Sequence, residues 1–253
     1  MRVLRVALLI ADTPPPEVVA KYGDYNVLYT QLLQRALRLE ELDQSVQLET
    51  VPFDVVEAMA YPEQPETFDA ILISGSAATA HEGVPWILRL VEYTRELPKR
   101  APTCRLVGIC FGHQIIARAL GGQLQRNERG WELGWTKVTL NALGQQVLQT
   151  EKPALHLQQV HRDHVTMLPP GFEVLASTVI SPLQMMWKPG HIFAVQAHPE
   201  FVPGVVREII AVRRKRGVFS DELADASLAK LDRENDSDWL GGWIARFMLQ
   251  QTG

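Results

Sequence analysis

Cysteine is scarce in this chain. Only Cys104 and Cys110 occur among 253 residues. They fall on one short strand-turn unit, too close together to staple distant segments, so no disulfide framework is expected and the chain reads as a cytoplasmic protein of a reducing compartment. Long apolar runs are missing too. The first run, Val3–Ala11, stops at Asp12 and three prolines, is too short to cross a bilayer and shows no small-residue cleavage site, so it reads as a first strand and no membrane partner is expected. Charge of one sign is not in excess: the formal net charge is −4, which gives no electrostatic footprint for nucleic acid. The one dense basic cluster, Arg213–Arg216, continues a helix-like segment and reads as a solvated helix face. Neither a Gly-x-Gly-x-x-Gly nor a Gly-Lys-Ser/Thr loop is present, and no His-Glu-x-x-His or Cys-x-x-Cys spacing. Nucleotide binding therefore has no support, and no cofactor or metal is expected. The His161-Arg-Asp-His164 cluster lacks any accompanying metal spacing and reads as a hydrogen-bonding loop.

What is present is an α/β rhythm. Val3–Ala11, Val46–Val51, Phe68–Gly75 and Cys104–Ile109 are strand-length apolar runs, and Tyr25–Leu39 and Trp86–Leu97 carry apolar residues at helical spacing. This alternation predicts a mostly parallel central sheet with helices on both faces. Beyond Gly122 the runs shorten and turn residues separate them: Thr136–Leu140, Leu155–Val160, Glu173–Thr178, Gln184–Trp187 and Ile192–Gln196 predict an antiparallel β extension. Helices from about Val205 and from Trp239 follow. With no repeat, low-complexity tract or linker, residues 1–253 read as a single domain.

The most informative stretch is Leu106-Val-Gly-Ile-Cys-Phe-Gly-His-Gln-Ile-Ile-Ala117. An apolar strand enters a Gly-x-Cys-x-Gly turn and an amphipathic helix leaves it, the layout of a nucleophile elbow with cysteine in the nucleophile's place. Gly108 and Gly112 allow the tight turn, and the helix N-terminus would favour thiolate at Cys110. Cys104, within the strand and without flanking glycines, reads as structural. The N–H of Phe111, next after the nucleophile, would donate to an oxyanion, and a second donor would come from Ser74-Gly75-Ser76, with Gly75 permitting the approach. His198 follows a strand-like run and has Glu200 two residues on, which makes the pair a base and its orienting carboxylate. His113 is a rival base, but no carboxylate follows it, and a packing role fits it better.

Gly108-x-Cys110-x-Gly112-His-Gln114, followed much later by His198-Pro-Glu200, resembles the class I glutamine amidotransferase family, and the resemblance runs from the first strand to about Phe201. Lys21–Leu28, Ile73–Ser76, Glu132–Thr136 and Val160–Val165 bring the chain nearest to the stand-alone members similar to GMP-synthase amidotransferase domains and to γ-glutamyl peptidases. The resemblance implies a flavodoxin-like architecture. It implies a hydrolase that cleaves a γ-glutamyl amide through a thioester, with Cys110 as nucleophile, His198 as base and Glu200 as its orienter. It also implies that Gln114, Trp135 and Asp163 bind the substrate. Where many amidotransferases carry Gly-Gly-Pro in the oxyanion loop, this chain has Ser74-Gly75-Ser76 followed by Ala77-Ala78, which favours the peptidase-like branch. The expected partner is a small γ-glutamyl molecule such as glutathione or a conjugate. The alternatives are a glutaminase subunit that delivers ammonia to a separate synthetase partner, and a binding protein that keeps the fold without turnover.

Overall fold

Nine consecutive strand residues at the start, Arg2–Ile10 (β1), set the frame for everything that follows. Their side chains alternate across the sheet: Leu4, Val6 and Leu8 enter one apolar layer, Ala7 and Leu9 the other. A strand segment buried on both faces must be apolar, which is why Val6–Leu9 reads as an unbroken run, while Arg2 and Arg5 lie where the strand is still exposed or half-buried. The computed structural model describes residues 1–250.

β2 (Val46–Asp54) and β3 (Ala70–Ile73) flank β1 in parallel, β4 (Arg105–Ile109) pairs parallel with β3, and β11 (Ile192–Val195) parallel with β4. The sheet continues antiparallel through β10 (Met185–Lys188), β9 (Glu173–Ser177), β6 (Glu132–Leu140) and β7 (Ala154–His161), giving nine strands in the order β2-β1-β3-β4-β11-β10-β9-β6-β7. The parallel sheet and its antiparallel extension are both as expected. A separate two-stranded ribbon, β5 (Gln123–Arg126) with β8 (Asp163–Met167), was not anticipated.

Helices cover both faces of the parallel half. α2 (Tyr25–Leu39), α6 (Pro203–Lys215) and α8 (Ser237–Leu249) pack on the Leu4–Val6–Leu8 side, and α3 (Pro85–Arg100) and α4 (Phe111–Ala119) on the other. α2 starts where the Asp24 carboxylate accepts the Val27 N–H at 2.9 Å, and it buries Leu28, Tyr29, Leu32, Leu33 and Ala36 at helical spacing. Three short helices escape the periodicity reading: α1 (Pro16–Tyr22), α5 (Ala142–Leu148) and α7 (Asp221–Leu228). None of the helices is long and apolar enough to cross a membrane, among the described residues.

Candidate active site

Three neighbouring parallel strands release their chains at one edge of the sheet. β3 gives way to Ser74 and Gly75, β4 to Cys110, and β11 to Gln196 and His198. The carboxyl edge of such a sheet is where α/β proteins gather ligand-binding groups.

Cys110 sits between β4 and α4 with φ 50° and ψ −100°, a conformation outside the regions an L-residue prefers. The surrounding packing holds it there. Its N–H donates to the Val195 carbonyl at 2.9 Å, and its carbonyl accepts the Gln114 N–H at 3.1 Å. Both elbow glycines are obligatory by contact: a Cβ at Gly112 would stand 2.2 Å from the Ile73 carbonyl oxygen, and one at Gly108 2.6 Å from that of Gly112. Phe111 opens the helix, so its N–H has no carbonyl one turn back to meet.

His198 and Glu200 are buried beside this turn. His198 Nδ1 lies 2.7 Å from Glu200 Oε1, and the imidazole stacks flat on Phe201 with ring centres 4.2 Å apart. Burial alone would lower the His198 pKa, but the sulfur of Cys110 and the Glu200 carboxylate outweigh it and raise the value to about 10. Gly75 faces both partners: a Cβ there would stand 2.8 Å from His198 Cε1 and 3.8 Å from the Cys110 Cβ.

Tyr29, which the sequence reading passed over, joins three of these pieces. Its hydroxyl donates to Glu200 Oε1 at 2.9 Å and accepts the Gly75 N–H at 2.9 Å, and the side chain is fully buried in α2. Loss of solvent and the Glu200 charge push its pKa well above the usual tyrosine value, so the hydroxyl keeps the proton it donates. The bond from Gly75 corrects one expectation. Because the Gly75 amide is engaged by Tyr29, it is not available to an oxyanion. Across residues 74–78 the Ser76 N–H alone has no acceptor, since Ser74, Gly75, Ala77 and Ala78 donate to Leu9, Tyr29, Asp12 and Ser76.

A second unanticipated contact comes from Gln196, whose amide Nε2 donates to Cys110 Sγ at 3.5 Å. Gln114 holds that amide in place by donating to Gln196 Oε1 at 3.1 Å, and it ties α4 to the start of β8 through the Asp163 carbonyl at 2.9 Å.

Cys110 opens on a pocket of about 190 Å³. Ser76 to Thr79, Gln114, Val160 and Asp163 line it, as do three arginines, Arg126, Arg162 and Arg213. Trp135, expected here, is elsewhere. It stacks on His156 with ring centres 4.4 Å apart, and its Nε1 donates to the Glu234 carbonyl, in the segment between α7 and α8. That segment, invisible in the periodicity, supplies a competing partner, and Trp131 lines the pocket instead. Arg213 also departs from expectation: it belongs to the pocket wall, whereas its neighbour Arg214 pairs with Asp221 and Asp225 on the surface.

His113 is fully buried and takes no part in the pocket. Its ring faces the backbone of Ala194 and Leu183 without closing a well-formed hydrogen bond, and burial drives its pKa down to about 3, in keeping with a neutral packing residue. His161 and His164 serve as hydrogen-bonding groups: His161 Nδ1 meets the Asp163 carbonyl at 3.0 Å and Nε2 lies 3.0 Å from Glu132, while His164 Nδ1 stands 3.3 Å from Ser181 Oγ. Among the described residues no group of three His, Cys, Asp or Glu side chains is placed to hold a metal ion.

Residues 23–212 match the family model described as "Glutamine amidotransferase class-I". A glutamine amidotransferase-like protein of Schizosaccharomyces pombe is 33% identical over 97% of this chain and 98% of its own length. Gamma-glutamyl peptidase 4 of Arabidopsis thaliana is 30% identical over 91% of this chain and 89% of its own. Among solved structures, a glutamine amidotransferase from Thermotoga maritima superposes with a TM-score of 0.71 at 18% identity, over 98% of this chain and 99% of the other, which establishes likeness of fold.

Proposed function

The chain belongs to the class I glutamine amidotransferase family, and from that premise we propose that it is a γ-glutamyl hydrolase that works alone on small γ-glutamyl peptides. The observation that carries this reading is the convergence of Cys110, His198 and Glu200 beside a pocket lined by both arginine and aspartate. Cys110 Sγ attacks the γ-carbonyl carbon as the thiolate, with His198 as imidazolium. The Phe111 and Ser76 amides receive the developing oxyanion. His198 gives its Nε2 proton to the departing amine, the C–N bond breaks, and a γ-glutamyl thioester remains on Cys110. Neutral His198 then takes a proton from water, the hydroxide cleaves the thioester, and glutamate leaves as the thiol is regenerated. Glu200 Oε1 accepts from His198 Nδ1 throughout, and Gln196 donates to the sulfur in its anionic form. On the far flank, Arg126 and Asp163 are register partners across β5 and β8 and offer a cation and an anion to the α-carboxylate and α-ammonium of the glutamyl head. The relative named as a gamma-glutamyl peptidase supports the choice of a peptide over glutamine.

Glutamate release from glutamine, glutathione and an S-alkyl glutathione, measured beside Cys110→Ala, tests the proposal. The peptides should be preferred, and the variant should lose at least about a thousandfold in kcat. Substantial turnover by the variant would remove the thioester mechanism. A preference for glutamine would favour a subunit that feeds ammonia to a synthetase.

A further inference from the structure

The three arginines that line the pocket are more positive charge than one glutamyl head requires. Asp163 is the one carboxylate of the lining. An α-amino-acid head carries one anion and one cation, which Arg126 and Asp163 match as cross-strand neighbours. Arg162 is drawn back toward the Asn127 carbonyl, 3.5 Å from its Nε. Arg213 is left over.

Arg213 is a fixed feature of the pocket wall. It comes from α6, and its guanidinium carbon lies 5.9 Å from the Trp131 ring centre and 5.8 Å from that of Phe219. Two aromatic faces at this range hold an arginine in place without neutralising it. Among the described residues no carboxylate stands within ion-pair distance of it, although Arg214, next in sequence, has two.

Position decides what Arg213 serves. Gln114, Asp163 and Arg126 form one flank of the pocket, joined by the Gln114 bond to the Asp163 carbonyl and by the β5–β8 pairing. His198 reaches Cys110 from behind the pocket lining, stacked on Phe201, which in turn stacks on Tyr25 with ring centres 6.3 Å apart. Arg213 belongs to neither β5 nor β8: it comes from α6, the helix that follows directly on the His198–Phe201 turn. The amine that leaves takes its proton from His198, at the turn from which α6 departs.

Resting on the γ-glutamyl reading above, we infer that Arg213 binds a carboxylate on the leaving amine, so that the preferred substrates are γ-glutamyl peptides ending in a free acid. Glutamine has no such group, and its leaving ammonia would forgo the contact. Discrimination arises because an arginine pairs with a carboxylate through charge and two parallel N–H donors, whereas a neutral amide offers neither.

The test compares γ-glutamylglycine with γ-glutamylglycinamide, which differ only in that terminal group. The unmodified chain should favour the acid by about tenfold or more in kcat/KM. Arg213→Gln should bring the acid-to-amide ratio near one, and Arg213→Lys should restore part of it. Because the readout is a ratio within one preparation, partial misfolding of a variant does not disturb it. A ratio near one in the unmodified chain, or one that Arg213→Gln leaves unchanged, overturns the assignment. So does an equal loss on both compounds, which would move Arg213 to the glutamyl head. If neither compound is hydrolysed, the hydrolase reading fails on its own. Calorimetric affinities of the two compounds for Cys110→Ala then give the ratio independently, and equal affinities overturn the role of Arg213.

Discussion

His113 offers a sharp test of the proposal that His198, and not His113, is the working imidazole. Its ring is wholly enclosed, and desolvation takes its pKa from 6.5 to about 3. The unfolded chain binds a proton there near pH 6.5 and the folded chain does not, so stability is full above pH 6.5 and is lost as pH falls toward about 3. Each pH unit in that window costs about 1.4 kcal/mol, and at about pH 4.5 the loss from this one ring is about 3 kcal/mol. His113→Leu, close in volume and unable to titrate, removes that dependence. Urea unfolding of both proteins at pH 7 and at about pH 4.5 reads it directly. The unmodified chain should lose about 3 kcal/mol more than the variant, a midpoint difference of about 1 M at a slope of about 3 kcal/mol per molar. His164, whose pKa burial also lowers, is present in both proteins and cancels from the comparison. Equal losses in the two proteins would refute the buried neutral imidazole. An inactive but well-folded His113→Leu at pH 7 would return it to the list of candidate bases.

Tyr29→Phe removes the hydroxyl that bridges Glu200 and Gly75 while keeping the ring in its apolar layer. A fall in kcat of about tenfold or more with little change in KM is expected, together with a displaced pH profile, and an unaltered profile would reduce Tyr29 to packing. Gly112→Ala drives a methyl group into the Ile73 carbonyl, 2.2 Å from where its Cβ would lie. Because that obstacle is backbone, a loss of at least about 2–3 kcal/mol is expected, and an unchanged thermal midpoint would mean the elbow is far looser than its packing indicates.

The frame of the protein was legible because buried parallel strands must be apolar on both faces: β3 obeys that rule throughout and β1 over Val6–Leu9, while Arg5 in β1 and Arg105 in β4 are the exceptions. The elbow was legible because steric demand at Gly108 and Gly112 admits one residue type, so geometry leaves a mark in the letters. The short helices left a weaker one. Asn141 reads as a turn between strands, yet its side chain caps α5 by accepting the Gly144 N–H at 2.7 Å. Tyr29 was illegible for another reason. Its bond to Glu200 joins residues 171 positions apart, and nothing local distinguishes a tyrosine that caps a carboxylate from one that fills a core. Arg213 was hidden by its company: in a run of four basic residues, only the packing of Trp131 and Phe219 marks out the one that enters the pocket. Trp131 and Trp135 could be told apart only by the Glu234 carbonyl that captures the second.

The insertion of β11 beside β4 has a consequence for how the protein comes into being. Synthesis delivers Cys110 and its turn early, but the strand that carries Gln196 and His198 into place belongs to a much later stretch of chain and must return across the whole antiparallel extension. Until it docks, the sulfur has neither its amide donor nor its imidazole, and the Cys110 N–H lacks the Val195 carbonyl that fixes its twisted backbone. Contacts between segments so far apart form slowly in folding. On the proposed mechanism, a nascent chain on the ribosome thus holds its nucleophile without the means to use it, and reactivity arrives only with the closing of the sheet.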